Sequence, residues 1–137
     1  MDMEILFRGK RTDNGDWVEG YYAVIGRRNV IIALPEMYYT EDAEERYGNE
    51  IHDIVPETVC QYTGLDDRDG RKIFEGDITR YEGKFFKTAW VSGCANFAAH
   101  PLKESRISPC LNVGTMKFAE VVGNVFDNLE LLEGDTG

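Results

Sequence analysis

Thr12-Asp13-Asn14-Gly15-Asp16-Trp17-Val18-Glu19-Gly20-Tyr21-Tyr22-Ala23-Val24-Ile25-Gly26-Arg27-Arg28-Asn29-Val30-Ile31-Ile32-Ala33-Leu34 alternates turn signals with strand-forming runs. Asn14-Gly15 supplies the positive φ that a tight hairpin needs. Residues 17–25 are aromatic and β-branched, which suits a pleated, half-buried surface. Residues 26–29 turn the chain and residues 30–34 run back. With residues 4–8 as an opening strand, the stretch predicts a meander of three antiparallel strands.

The same reading extends toward the C-terminus. Pro35 ends the meander, and residues 40–47 are expected to form a short helix. Thr40 suits its cap, Glu41 and Asp42 its first turn, Arg46 its last turn and Gly48 its stop. Residues 51–62 form a strand region broken by Pro56, and residues 63–72 form a polar turn with solvated carboxylates. Residues 73–81, 85–91, 94–99 and 116–126 supply the remaining strands, with a surface loop between Pro101 and Pro109. Asp127 is placed to cap a last helical turn over residues 129–132, and residues 134–137 are expected to fray. One internal echo stands out. Phe7-x-Gly9 leads through Asn14-Gly15 to Trp17 and Gly20, and Tyr62-x-Gly64 leads through Asp69-Gly70 to Ile73 and Gly76. Two similar hairpins account for it, and a duplicated half-barrel is the alternative.

A chain of 137 residues fits a single domain, or two small and intimately packed units. Two Trp, seven Tyr and seven Phe favour strands, and fourteen Gly against four Pro favour tight turns. The net charge of −10 repels phosphate backbones, so nucleic-acid binding needs a strong local basic patch. Cys60, Cys94 and Cys110 are odd in number and widely spaced, and the opening residues do not read as a signal peptide. Reduced thiols in a cytoplasm follow, and no apolar run reaches the ~18 residues of a membrane span.

No constellation in the sequence carries chemistry. With Gly70 at the sixth position of a calcium loop, Leu65 and Gly76 fall where the first and twelfth ligands are required. Cys60, Cys94, Cys110, His52 and His100 lack the tight ligand spacing of a zinc site. Convergence of Cys94, His100 and Cys110 is left open. Ser92 and Cys94 lie outside any nucleophile elbow, and there is no phosphate-binding glycine loop. No catalytic residue, metal or cofactor is therefore assigned. A candidate binding surface is made of Arg8, Lys10, Arg11, Trp17, Arg71 and Lys72, where cations lie near aromatic rings.

Three segments carry a family likeness. The first joins Phe7-Arg8-Gly9-Lys10-Arg11 to Gly15-x-Trp17-Val18-x-Gly20. The second, and more specific, is Pro56-Glu57-Thr58-Val59-Cys60-Gln61-Tyr62-Thr63-Gly64-Leu65-x-Asp67-x-x-Gly70-x-x-Ile73-Phe74-Glu75-Gly76-Asp77-Ile78. The third joins Val122-Gly123-Asn124-Val125-Phe126 to Asn128-x-Glu130-Leu131-Leu132. Together, over residues 4–132, these resemble the YopX family of bacteriophage and prophage proteins. Residues 82–118 match little, and Cys60 stands where Gly or Ser is expected. The resemblance implies a mainly β fold with small barrel architecture, namely intertwined SH3-like and OB-like barrels with one or two short helices. Glu75-Gly76-Asp77-Ile78 resembles the turn-into-strand of SH3-like barrels, where Gly permits a tight entry and Asp bonds the turn amides.

The resemblance brings no established activity. The expected role is that of a non-enzymatic accessory protein in the cytoplasm of a bacterial host. It would act by binding a host or phage protein or by forming a homo-oligomer, away from membranes. Single-stranded nucleic-acid binding through an OB-like face and acidic mimicry of nucleic acid are the alternatives.

Overall fold

A computed structural model describes residues 5–33, 51–92, 96–102 and 111–133. The expected helix over residues 40–47, most of the loop between Pro101 and Pro109, and the tail from residue 134 lie outside them. The chain is mainly β and divides into two compact units, Met1–Gln61 and Tyr62–Gly137.

The first unit holds β1 (Phe7–Lys10), β2 (Trp17–Ile25), β3 (Arg28–Ala33) and β4 (Ile51–Asp53). A 3₁₀ turn, Pro56–Thr58, follows, and then β5 (Cys60–Asp66), whose first two residues belong to this unit. The expected meander is present. Phe7 pairs with Gly20 and Lys10 with Trp17, while Gly20 pairs with Ala33 and Ile25 with Arg28, all antiparallel. Gly15 and Gly26 take the positive φ of the two turns, at 75° and 63°. The first strand begins later than expected, at Phe7, and Pro56 interrupts residues 51–62 as a helical turn.

Beyond β4 the chain returns to β1. Arg11 bridges to Ile54, the Thr12 amide donates to Asp53 O at 3.0 Å, and the Val55 amide donates to Lys10 O at 2.8 Å. The sheet curls on itself without completing a ladder, and the described residues contain no closed barrel. What permits the approach is Gly9, where an added Cβ would lie 2.8 Å from Ile54 Cδ1. Leu6, Val30, Ile31, Ile54 and Cys60 are buried in this unit.

The second unit holds the rest of β5, then β6 (Lys72–Phe74), β7 (Asp77–Tyr81), β8 (Lys84–Val91), β9 (Asn96–Pro101), α1 (Val113–Met116), β10 (Glu120–Asn124) and α2 (Leu129–Glu133). Its sheet runs β10-β7-β8-β9, and β5 pairs with β6. Ile73, Phe86, Ala99, Leu111 and Met116 form its core, with Leu65, Tyr81 and Val121 packed against them.

Four expectations change in this unit. Residues 73–81 are two strands, because Glu75-Gly76 turn the chain: Gly76 has φ 85° and Asp77 Oδ2 accepts from the Phe74 amide at 2.7 Å. This is the turn that Glu75-Gly76-Asp77 suggested. The polar turn is shorter than expected, since β5 continues to Asp66. Residues 116–126 are not one strand. Asn112 caps α1 by accepting from the Thr115 amide at 3.0 Å, and Met116 enters the core before β10 starts. At the final turn, Asp127 Oδ2 accepts from Asn124 Nδ2 at 3.1 Å, and the Leu131 amide donates to Asn128 O.

The two echoed hairpins share a turn device but differ in their glycines. Asn14 Oδ1 accepts from the Asp16 amide and Asp67 Oδ1 from the Asp69 amide, each at 2.9 Å. Gly9 is needed for close packing, whereas Gly64 has open space and φ 87°.

Candidate functional site

Strand alternation puts Arg8 and Lys10 on one face of β1. The hairpin register sets Trp17 across from Lys10 and diagonal to Arg8. The Arg8 guanidinium carbon lies 4.6 Å from the Trp17 ring centroid and Lys10 Nζ 5.4 Å from it. Two cations thus share one ring, an arrangement that ring quadrupoles favour by ~0.5–1 kcal/mol at exposed sites. Arg11 points to the other face and is held by Asp13, with Nε–Oδ1 at 2.9 Å and Nη2–Oδ2 at 2.6 Å. Arg71 and Lys72 lie in the second unit and diverge there. Arg71 Nη1 donates to Val121 O at 3.2 Å, while Lys72 Nζ lies 5.9 Å from the Tyr62 ring. Of the six residues singled out from the sequence, Arg8, Lys10 and Trp17 gather as one cluster. Arg11 is tied down beside it, and Arg71 and Lys72 take separate partners.

The face that carries this cluster continues across β2, β3 and β4 as an apolar row. Tyr21, Ile32 and Ile51 lie side by side in register, and Ile25 is on the same face further along β2. Tyr21 is 50% exposed, Ile25 51% and Ile51 42%. Sequence reasoning passed over these residues because aromatic and β-branched side chains in strands are ordinarily core. No local signal marks them: Val30 and Ile31, on opposite faces of β3, are both fully buried, so side-chain type does not tell which positions are exposed.

A polar cavity of about 250 Å³ opens beside this region, lined by Arg11, Thr12, Asp13, Ile51, His52 and Asp53. His52 is a strand residue paired with Ile31, not part of an exposed loop. Arg28 holds Asp53 through Nε–Oδ1 at 2.9 Å and Nη2–Oδ2 at 3.1 Å. The hydrogen bond from Arg28 lowers the Asp53 pKa, and Asp53 in turn raises that of Arg28. Asp13 is lowered in the same way by Arg11. A carboxylate with a lowered folded-state pKa contributes stability above its unfolded pKa and loses it as pH falls through the folded value. Acidification below the ordinary carboxylate range is therefore expected to loosen the β3–β4 tie. Carboxyl-carbon NMR should place the Asp53 midpoint below that in Arg28→Gln; equal midpoints would refute the pairing.

Among the described residues no three His, Cys, Asp or Glu side chains gather as a cation site. His100 lies on β9 across from Lys87, and Cys94 and Cys110 are outside the described residues. Cys60 is buried, its Sγ donating to Thr58 O at 3.3 Å. No described helix is long and apolar enough to cross a membrane.

The residues of the likeness now have physical roles. Gly9 and Gly20 admit neighbouring backbone and side chain, Asp77 closes the turn into β7, and Asp67 organises the turn before β6. A family model described as YopX protein matches residues 6–133. The chain belongs to the YopX family. A solved structure, the crystal structure of protein EF1440 from Enterococcus faecalis, shares this fold with 20% identity and a TM-score of 0.51. The match covers 96% of this chain and 99% of that one. No curated protein matches.

Asp67 is the YopX residue whose role differs most from expectation. Its carboxylate is not solvated: the residue is 6% exposed. Oδ1 accepts from the Asp69 amide at 2.9 Å and from the Arg71 amide at 2.8 Å, and Oδ2 accepts from the Val121 amide at 2.8 Å. The acidic turn is a structural clasp, with the Asp67 oxygens facing backbone N–H groups. On the surface nearby, Arg68 and Arg80 both pair with Glu120, the latter at 3.1 Å.

Proposed function

We infer that this YopX chain is a binding module without chemistry of its own, an accessory protein of a phage or prophage acting in the bacterial cytoplasm. It engages a protein, either another protein or a second copy of itself, through the outer sheet face of its first unit. The observation that carries this reading is the row Tyr21–Ile32–Ile51, continued by Ile25, with three of the four side chains substantially exposed. Exposed apolar side chains set in register on neighbouring strands are costly to leave in water and mark a contact surface. A tyrosine among aliphatic residues is a suitable anchor, because it buries a large area with few rotatable bonds.

The test is retention of a partner by tagged chain in host lysate treated with nuclease. Wild type is expected to retain a nuclease-resistant protein, and Tyr21→Lys/Ile51→Lys to lose it by tenfold or more, since ~1.4 kcal/mol is tenfold in binding. Equal retention by both would refute the assignment of this face.

One observation favours a second reading, single-stranded nucleic-acid binding: Arg8 and Lys10 gather at Trp17, and cations beside a ring are the elements of a stacking platform. Against it, both cations already lie over that ring, Arg11 is engaged by Asp13, and the net charge is −10. A nuclease-sensitive retained pool that falls in Arg8→Ala/Lys10→Ala would replace the first reading with this one. Acidic mimicry gains nothing from Asp13 and Asp53, whose carboxylates are paired with arginines of the same chain.

A further inference from the structure

Two hydroxyls in the core of the second unit have no hydrogen-bond partner among the described residues. Thr79 on β7 and Thr88 on β8 are each 1% exposed, and Oγ1 of each is unpaired. Other threonines away from solvent are bonded within the chain. The buried Thr58 hydroxyl accepts from the Lys10 amide at 2.8 Å and donates to Val55 O at 2.6 Å. The half-buried Thr63 hydroxyl donates to Ile73 O at 2.7 Å and accepts from the Leu65 amide at 3.1 Å. A hydroxyl removed from water without a substitute bond destabilises the fold, so two in one small core require a partner. The strand register places them together. Thr79 pairs with Phe86, and Thr88 follows Phe86 by two residues, so the two threonines share a face and stand diagonally across the β7–β8 ladder. That face is the core face: Phe86 belongs to the core, and so does Ala99, which pairs with Thr88.

We propose that a single internal water is bound here, bridging the Thr79 and Thr88 hydroxyls inside the second unit. Diagonal neighbours in an antiparallel pair have Cβ atoms somewhat under ~7 Å apart. That separation is too wide for two short hydroxyls to bond each other, and it suits one atom between them. A water with an oxygen at ~2.8 Å on either side spans roughly 4.6 Å. Ala99, across from Thr88, is the smallest side chain of the core cluster and leaves room on that side. The chemistry of the pair selects water over other ligands. Each hydroxyl is neutral and can donate or accept by rotating, so both can serve one molecule that does the same. A divalent cation needs more oxygen ligands than two hydroxyls supply. An apolar occupant would leave both hydroxyls unpaired. Buried waters ordinarily sit where ~2–4 otherwise unsatisfied polar groups converge. The water links β7 to β8 in the middle of the sheet, and the inference is independent of what the first unit binds.

The test joins a crystal structure of the full chain to guanidinium unfolding of valine variants, since valine keeps the branched shape and removes the hydroxyl. The crystal is expected to show one water at ~2.7–3.0 Å from both hydroxyl oxygens. Thr79→Val and Thr88→Val should each raise the unfolding equilibrium constant by roughly threefold to tenfold, because each removes a bond to that water. The double variant should cost less than the product of the two effects, since one water serves both hydroxyls. Thr88→Ser, which keeps a hydroxyl in place, should retain the water that Thr88→Val loses. A core in which the two hydroxyls bond each other or backbone carbonyls, with no water between them, overturns the proposal. So does a valine variant that unfolds less readily than wild type, because removing a dry, unpartnered hydroxyl stabilises. Effects that multiply in full overturn it as well, for they would mean that each hydroxyl has a partner of its own.

Discussion

Replacing Asp67 by alanine is expected to destabilise the second unit by roughly 3–5 kcal/mol, the range seen when a buried hydrogen-bond network loses its hub. Three backbone N–H groups, those of Asp69, Arg71 and Val121, lose their acceptor together. Two belong to the turn before β6, and the third belongs to β10, so both the turn and the strand that closes the sheet are affected. Asp67→Asn keeps one carbonyl oxygen for the turn but presents an amide N–H toward the Val121 N–H, and it should recover only part of the loss. Trp17 lies in the first unit and Trp90 in the second, so Trp90 fluorescence in a Trp17→Phe background reports this unit during guanidinium unfolding. If Asp67→Ala shifts stability by less than ~1 kcal/mol, the carboxylate is not the clasp described.

The second large effect is expected at Gly20, in the centre of the first unit. A Cβ built there collides with the Ile32 carbonyl and lies 3.0 Å from Ala33 Cα. Those are backbone atoms, and β3 is held from its other side by the Ile32–Ile51 pairing, so the obstruction cannot swing away. Gly20→Ala should cost ~2–4 kcal/mol, at or beyond the ordinary range for overpacking because main chain rather than side chain must move. Trp17 fluorescence in a Trp90→Phe background follows it. Gly64→Ala is the matched control. Its site has open space and only a positive φ, so a loss of about 1 kcal/mol is expected. Equal losses at the two positions would mean that backbone conformation, not the approach of β3, requires glycine at Gly20.

These two residues also show what could be read from the sequence. The first unit was legible because its signals are local. Asn14-Gly15 and Gly26 mark the turns, and the runs between them are the length of strands. Once the first turn is placed, the period of two brings Arg8, Lys10 and Trp17 to one face. The adjacent pair Arg71 and Lys72 could not be read as one patch, because neighbours in an extended chain point to opposite faces: Arg71 donates to Val121 O and Lys72 lies near the Tyr62 ring. The acidic turn was less legible still. Asp66, Asp67 and Asp69 look alike as letters, and only Asp67 meets the amide of Val121, a partner fifty-four residues away. Met116 reads from the sequence as the start of a strand over residues 116–126, yet it ends a helix over residues 113–116. They form a helix because Asn112 caps them and because Met116 has a place in the core. In each case tertiary contact outweighed a local preference.

The edge of β10 that faces away from β7 is finished without another strand. The Val121 N–H is taken by the Asp67 carboxylate and the Val121 C=O by the Arg71 guanidinium, so two side chains occupy the places of a neighbouring backbone. Both belong to a turn that leaves the ribosome well before β10 does. Both partners of Val121 are therefore already synthesised when β10 docks, and they occupy the place on its edge where a strand of a nascent copy would otherwise bond.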